Sequence, residues 1–241
     1  MPKFFFSTQQ VGDTVTIEGA TAHHILNVLR IAVGDSVVLC DGAETDYTAT
    51  IESAVPKKSQ VTFKLTNPQK CLTELPIRIV LYQALTKGDK IELIIQKCVE
   101  LGVHEIIPVM TTRCVVRVKD AAKKVARYQQ IAESAAGQSM RGIVPRVGPA
   151  ITFESAIAQM NSSGQTLVAH EQERKMGLVS VLAPASSINI WVGPEGGFTA
   201  QEIAALKDRG AVTISLGPRI LRAETAAIAT VATVALNLEL L

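Results

Sequence analysis

Two glycine-proline segments near the C-terminal end, Val192-Gly193-Pro194-Glu195-Gly196-Gly197-Phe198 and Leu216-Gly217-Pro218-Arg219-Ile220-Leu221-Arg222-Ala223-Glu224, each follow an apolar strand-like run and precede a helical one. A strand that passes twice through a tight loop into a helix points to the α/β class. In that class, loops at the carboxyl ends of strands open into a common crevice. Glycine lets backbone approach a ligand and proline stiffens the approach, so the two loops are candidate walls of one site.

The same alternation extends upstream. Residues 77–85, 104–110, 166–169, 188–192 and 211–216 read as strands, and 120–136, 153–160 and 224–241 as helices. Asp89-x-x-Glu92 and Thr199-x-x-Glu202 carry the capping-box signature. Ile91, Ile94, Ile95 and Cys98 then line one helical face, with Gly102 as the stop. A mostly parallel sheet covered on both faces is implied. The first seventy residues differ: short β-rich runs at 14–17, 36–40, 47–51 and 60–65 are separated by turns, among them Asp41-Gly42. One helix over 22–30, capped by Thr21, interrupts them. This is the pattern of a small barrel-like module, and it places a domain boundary between 71 and 76.

Hydrophobic residues at 47% and charged residues at 19% describe a globular chain with a sizeable core. The sequence has no stretch long enough to span a bilayer and no signal-peptide core, and the expected location is cytoplasmic. Cys40, Cys71, Cys98 and Cys114 form no C-x-x-C pair, and the four histidines do not complete a metal-spaced set. Reduced thiols and no metal are expected. The net charge of +2 hides an asymmetry: residues 1–56 stand at −5, 57–150 at +9 and 151–241 at −2. The middle segment suits an anionic partner or an ordinary solvated surface.

Neither G-x-x-x-x-G-K-[ST] nor G-x-G-x-x-G occurs. Glu195 would repel a pyrophosphate from the first loop, so a cofactor with positive character, such as S-adenosylmethionine, fits better. Backbone groups of Leu216, Ile220 and Leu221 could bind its adenine. A phosphate-binding α/β protein and a non-catalytic RNA-binding module are the competing readings.

Beyond these loops, His23-His24-Ile25-Leu26-Asn27-Val28-Leu29-Arg30, Gln96-Lys97-Cys98-Val99-Glu100-Leu101-Gly102-Val103 and Glu133-Ser134-Ala135-Ala136-Gly137-Gln138-Ser139-Met140-Arg141 with Pro145 complete a pattern over nearly the whole chain. It resembles the bacterial 16S ribosomal RNA (uracil-N3)-methyltransferases of the SPOUT superfamily. The resemblance implies a PUA-like β-barrel that helps hold RNA over 1–71. It further implies a SPOUT α/β methyltransferase domain with a C-terminal trefoil knot over 72–241, homodimerisation, and S-adenosylmethionine as cofactor. The RNA substrate that the resemblance implies is 16S rRNA of the small ribosomal subunit, methylated at N3 of a specific uridine.

On this chain the resemblance places the cofactor against Leu167, Ala169 and His170, against Gly193, Pro194, Glu195, Gly196 and Gly197, and against Ser215, Leu216, Gly217, Ile220, Leu221, Arg222 and Thr225. Uracil N3 must lose a proton, which calls for a cation to stabilise the uridinate or a base to accept the proton. Arg222 is the candidate cation; Glu224 and Glu195 are candidate bases. His24, Arg30, Lys87, Arg113, Gln138 and Arg141 are candidate RNA contacts. Gly137 stands where the family carries a longer side chain.

Overall fold

Two-residue alternation builds the N-terminal part of the molecule. Val15 and Ile17, Val37 and Leu39, Ala49 and Ile51, and Val61, Phe63 and Leu65 share one core, as the pleat requires of residues spaced by two. The computed structural model describes residues 1–6, 12–115, 121–160 and 163–239, with compact units of Met1–Glu74 plus Ala136–Val144 and Leu75–Ala135 plus Pro145–Leu241.

The first unit contains β1 (Lys3–Phe5), β2 (Thr14–Glu18), β3 (Ser36–Cys40), β4 (Thr45–Val55) and β5 (Gln60–Lys70), in a mixed sheet of order β1-β3-β4-β5-β2. The Asp41-Gly42 turn closes the β3–β4 hairpin: Gly42 has φ +73°, and Asp41 Oδ1 accepts from the N–H groups of Ala43 and Thr45 at 2.7 and 3.0 Å. Sequence reading gave no strand at 3–5, yet β1 pairs in parallel with β3.

The helix expected over 22–30 is also redrawn. Gly19, at φ +72°, turns the chain straight off β2 into α1 (Gly19–His23), so Thr21 lies inside the helix and cannot cap it. A π-helical turn follows over His24–Val28 and buries Ile25.

The first unit takes in Ala136–Val144, from the stretch that sequence reading assigned to the second domain. Buried charge holds it there. Arg141, 2% exposed, donates from Nε to Glu74 Oε1 at 3.2 Å and from Nη2 to Oε2, while the Gly142 N–H reaches Glu74 Oε1 at 2.8 Å. Lys3 Nζ lies 2.6 Å from Asp46 Oδ1 and donates to the Met140 carbonyl at 3.2 Å. A Cβ on Gly137 would stand 2.9 Å from the Lys3 carbonyl oxygen, so the longer side chain expected there has no room.

The second unit runs β6 (Arg78–Ala84), α2 (Lys90–Glu100), β7 (Glu105–Met110), α3 (Ala121–Gln138, which from Ala136 on belongs to the first unit), β8 (Arg146–Val147), β9 (Ile151–Thr152), α4 (Phe153–Gln159), β10 (Gln165–Ala169), α5 (Leu178–Val181), β11 (Ser187–Val192), α6 (Ala200–Asp208), β12 (Val212–Ile214) and α7 (Ala223–Glu239). The proposed helix ends at Asp120 and Leu241 lie outside the described residues. Every strand pair in this sheet is parallel, in the order β12-β10-β11-β6-β7-β8 with β9 also on β7.

All six residues of β11 are buried, as expected of a parallel strand covered on both faces. Trp191 stacks on Tyr82 with ring centroids 4.5 Å apart, in a core completed by residues of α4 and α6. Ile91, Ile94, Ile95 and Cys98 of α2 are buried, and α7 packs on α2 and β11. Each such side chain contributes about 1.5–3 kcal/mol on burial.

The two capping signatures separate. Thr199 is extended (φ −76°, ψ 162°) and forms the full reciprocal box with Glu202. Asp89 is not extended (φ −87°, ψ 8°), and its side chain makes no capping bond; Glu92 pairs instead with Arg127 at 2.9 Å. Among the described residues no helix is long and apolar enough to cross a membrane.

Candidate active site

Strand register brings the two glycine-proline loops together. Ala169 of β10 pairs with Val192 of β11 and with Ile214 of β12, so three strands end at one level and their loops leave the same edge of the sheet. Val192 also pairs with Gln83 of β6, whose carboxyl end leads through Thr86-Lys87-Gly88-Asp89 to α2. Together these segments enclose a cavity of about 350 Å³.

Ala169 and His170 form one wall, Gly193, Pro194, Glu195 and Gly197 a second, and Ser215, Leu216, Gly217, Ile220, Leu221 and Arg222 a third. Three of the expected cofactor residues are not on its lining. Leu167 is fully buried within β10. The Gly196 carbonyl accepts a 2.7 Å bond from Arg113 Nη1. Thr225 lies on an exposed face of α7.

Lys90, Glu171, Glu173, Val192, Arg219, Ala223 and Ala226 join the lining without having been named as cofactor contacts. Val192, Arg219 and Ala223 lie within the two glycine-proline segments, and Lys90 follows a strand-to-loop crossing like theirs. What the sequence lacks is the strand order that puts β6 beside β11.

Local chemistry fixes each wall. A Cβ on Gly193 would meet the Gly197 backbone and the Phe198 ring at 3.3 Å. Gly197 has φ +66°, and a Cβ there would lie 2.8 Å from Glu171 Oε1; only glycine suits both conditions. The chain after β10 is laced to the chain after β12, since the Ser215 N–H donates to the Met176 carbonyl at 2.7 Å and the His170 N–H to that of Ile214 at 3.1 Å.

Glu173 secures this lacing. Its Oε1 accepts from the N–H groups of Arg174, Lys175 and Met176, and its Oε2 accepts from the Thr213 hydroxyl at 3.0 Å. The Lys175 N–H, then Thr213 and Met176, pull its carboxyl down to about 2.

Glu195, expected as a free base, is engaged. Its Oε1 accepts from Lys90 Nζ at 2.8 Å and from the Lys87 N–H at 3.1 Å. Partial burial works against its ionisation, yet the bonds from Lys90, its own N–H and Lys87 prevail and hold it below the usual carboxylate range. Glu224, the other expected base, is not on the cavity lining; its Oε2 lies 3.9 Å from Lys90 Nζ. Arg222 is exposed at the third wall and forms no ion pair among the described residues.

The expected RNA contacts fall in both units. His24, Arg30 and Gln138 are exposed in the first, and Lys87 and Arg113 in the second. Arg141 is a correction: its guanidinium is buried against Glu74 and cannot meet a solvent-borne phosphate.

The residues present suit a compact cationic cofactor. The cavity size falls in the range of small-molecule sites. Glycine backbone and the apolar Val192, Leu216 and Leu221 line it beside carboxylates. His170 Nδ1 is buried without a hydrogen-bond partner among the described residues, 3.4 Å from Glu171 Oε2, and Glu171 has no lysine or arginine partner among them. No group of three His, Cys, Asp or Glu side chains is placed to hold a metal among the described residues.

Comparison with known proteins agrees with this arrangement. Residues 73–235 match the RNA methyltransferase domain family and residues 17–64 the RNA methyltransferase PUA domain family. The ribosomal RNA small subunit methyltransferase E of Bacillus subtilis is 38% identical, with 100% of this chain and 98% of that protein covered. That of Rickettsia conorii is 33% identical over 96% of this chain and 94% of its own length. The crystal structure of the Neisseria gonorrhoeae ribosomal RNA small subunit methyltransferase E bound to S-adenosyl methionine superposes with a TM-score of 0.88, at 37% identity, over 97% of this chain and 96% of that one.

Proposed function

This chain belongs to the RNA methyltransferase family that includes ribosomal RNA small subunit methyltransferase E, and on that premise we propose that it is an S-adenosylmethionine-dependent methyltransferase of small-subunit ribosomal RNA. The observation that carries the reading is the convergence of three parallel-strand loops on one cavity with both glycine-proline segments in its walls. The cofactor supplies an electrophilic methyl group when bound. The chain's own residues orient the two reactants, exclude water and set the local charge.

Backbone of Leu216, Ile220 and Leu221 would hold the adenine, and Glu171 would face the cofactor's positive charge. The finer target in this proposal is N3 of a specific uridine in 16S rRNA. Arg222, exposed at the cavity and without an ion pair among the described residues, would stabilise the uridinate that forms when N3 loses its proton. The exposed basic side chains Arg30 of the first unit and Lys87 and Arg113 of the second are the proposed phosphate contacts, with RNA affinity that falls steeply with salt.

The proposal includes a trefoil knot around this cavity and a homodimer acting in the cytoplasm. The knot is supported by the path of the chain after β12, which bridges Gly177 at Ser215 and then enters α7, packed back on β11 and α2. The homodimer is supported by apolar side chains left exposed around the same loops: Met176 at 43%, Val179 at 59% and Ile220 at 80%.

Mass spectrometry of 16S rRNA from cells with and without the protein tests the function. Loss of one N3-methyluridine is expected, and an unchanged methylation map overturns the assignment. In single-turnover assays at saturating cofactor Arg222→Ala is expected to lose about 10²-fold in methyl transfer; an unaltered rate removes Arg222 from the chemistry.

A further inference from the structure

Three charged groups from three different elements meet at one corner of the cavity. Lys90 opens α2, Glu195 belongs to the loop after β11, and Glu224 lies in the first turn of α7. The Lys90 side chain is 32% exposed, with its Nζ 2.8 Å from Glu195 Oε1 and 3.9 Å from Glu224 Oε2. Glu224 Oε2 is buried without a hydrogen bond among the described residues. One ammonium thus serves two carboxylates, and the geometry favours the one on the cavity wall.

We propose that Lys90 is a positioning residue of the methyl-transfer site: its ammonium fastens Glu195, and with it the first glycine-proline loop, in the form that receives the cofactor. This deepens the methyltransferase reading and rests on it. The loop turns on Gly193 and Gly197, which supply little side-chain packing of their own, and among the described residues the bonds that reach its carboxylate from outside the loop come from α2 and the turn before it. The Lys87 N–H makes the second bond to Glu195 Oε1, so both tethers come from the chain leaving β6.

Glu224 stands behind the lysine, its Oε2 3.9 Å from the ammonium. In this arrangement Glu195 is an anchor and no longer a proton acceptor for substrate.

The charges around Glu195 define what a titration must separate. Lys90 approaches from α2 and Glu224 from α7, while the exposed Lys87 contributes its N–H. Arg113 holds the neighbouring Gly196 carbonyl. Across the cavity stand His170, Glu171 and Glu173 on the β10 loop and Arg219 and Arg222 on the β12 loop. Lys90 is the cation in direct contact with the Glu195 carboxylate, so its removal raises the Glu195 pKa, because burial already opposes ionisation.

The sign follows. In the parent protein the carboxylate stays ionised, and the loop fastened, to pH values below the ordinary carboxylate range. In Lys90→Met protonation and release of the loop come at higher pH.

The test follows the Glu195 carboxyl carbon by NMR in cofactor-free protein labelled at glutamate and assigned with Glu195→Gln, alongside calorimetric titration with S-adenosylmethionine across pH. In Lys90→Met the Glu195 midpoint is expected to rise by about one pH unit, and the dissociation constant to increase about tenfold, the size of a lost charge-assisted hydrogen bond. Lys90→Arg should restore both. Lys97→Met, which removes a lysine from the same helix paired with Glu100, should alter neither.

Glu195→Gln combined with Lys90→Met should bind no more weakly than Lys90→Met alone. An unmoved Glu195 midpoint, or additive losses in the double variant, overturns the role of Lys90. Failure of the parent protein to bind S-adenosylmethionine overturns the methyltransferase reading, while the carboxyl titration still decides the Lys90–Glu195 pairing.

Discussion

Charge is handled in opposite ways by the two units. In the first, Arg141 and Glu74 are 2% and 7% exposed and exchange bidentate hydrogen bonds, and the Lys3 side chain is fully buried against Asp46. In the second, Lys90 and Glu195 are 32% and 34% exposed, one lysine is shared by two carboxylates, and Arg222 forms no ion pair among the described residues. A charged pair closed off from solvent holds chain together and is out of reach of a ligand. A half-exposed group with unfilled capacity contributes little to folding but can respond to what enters the cavity. The burial of a charge, more than its presence, separates scaffold from site.

The contrast is broken most directly at Arg141. Arg141→Ala strips the partner from a buried Glu74 and is expected to cost about 3–5 kcal/mol, read as a fall in the denaturation midpoint of the first unit. Lys90→Met should leave that midpoint in place; equal destabilisation by both substitutions would abolish the distinction. Next in size is Gly197→Ala. A non-glycine residue at φ +66° costs about 1–2 kcal/mol, and the added Cβ would displace the Glu171 carboxylate. Cofactor affinity should therefore fall by more than thermal stability alone explains, and unaltered calorimetric binding would show that Glu171 does not face the ligand.

Period-2 positions such as Val15, Ile17, Val37 and Leu39 made the first core legible from sequence, because alternation is a local property. The α2 face at Ile91, Ile94, Ile95 and Cys98 was legible for the same reason at helical spacing. Both glycine-proline loops could be placed at strand ends, since glycine and proline act on their own backbone.

Lys90 escaped because its meeting with Glu195 depends on β6 lying beside β11, a pairing between segments 105 residues apart. Arg141 was misread for a related cause: a lone arginine in a basic segment looks like a phosphate contact until a distant Glu74 is found beside it. Strand β1 was missed because three residues give no period to read, and its pairing with β3 is a tertiary matter.

Capping sharpens the same lesson at smaller energy. Thr199→Ala removes a side-chain oxygen that accepts the Glu202 N–H at 3.2 Å and should cost about 1 kcal/mol, with a corresponding drop in thermal midpoint. Asp89→Ala should cost no capping energy, because Asp89 makes no capping bond. Two sequence signatures of one kind thus predict different stabilities once backbone angles are known, and equal losses would show that the two Ncap geometries do not differ in solution.

The smallest effect lies where the comparison is closest, at Glu173, a carboxylate on the cavity wall that is nevertheless saturated. Its pKa is about 2 against an ordinary value of 4.5, through the Lys175 N–H first and then the Thr213 hydroxyl and the Met176 N–H. A carboxyl depressed on folding contributes stability that is present above its unfolded value and lost as pH falls through the folded one. The window therefore runs from about pH 4.5 down to about 2.

Glu173→Gln keeps an acceptor for the same N–H groups but removes the titration. Its thermal midpoint should fall less steeply than that of the parent protein across this window and lie slightly below it at neutral pH. Parallel midpoint curves would mean that the 174–176 turn is held by its backbone alone, and Glu173 would then join Glu171 among the carboxylates available to the cofactor.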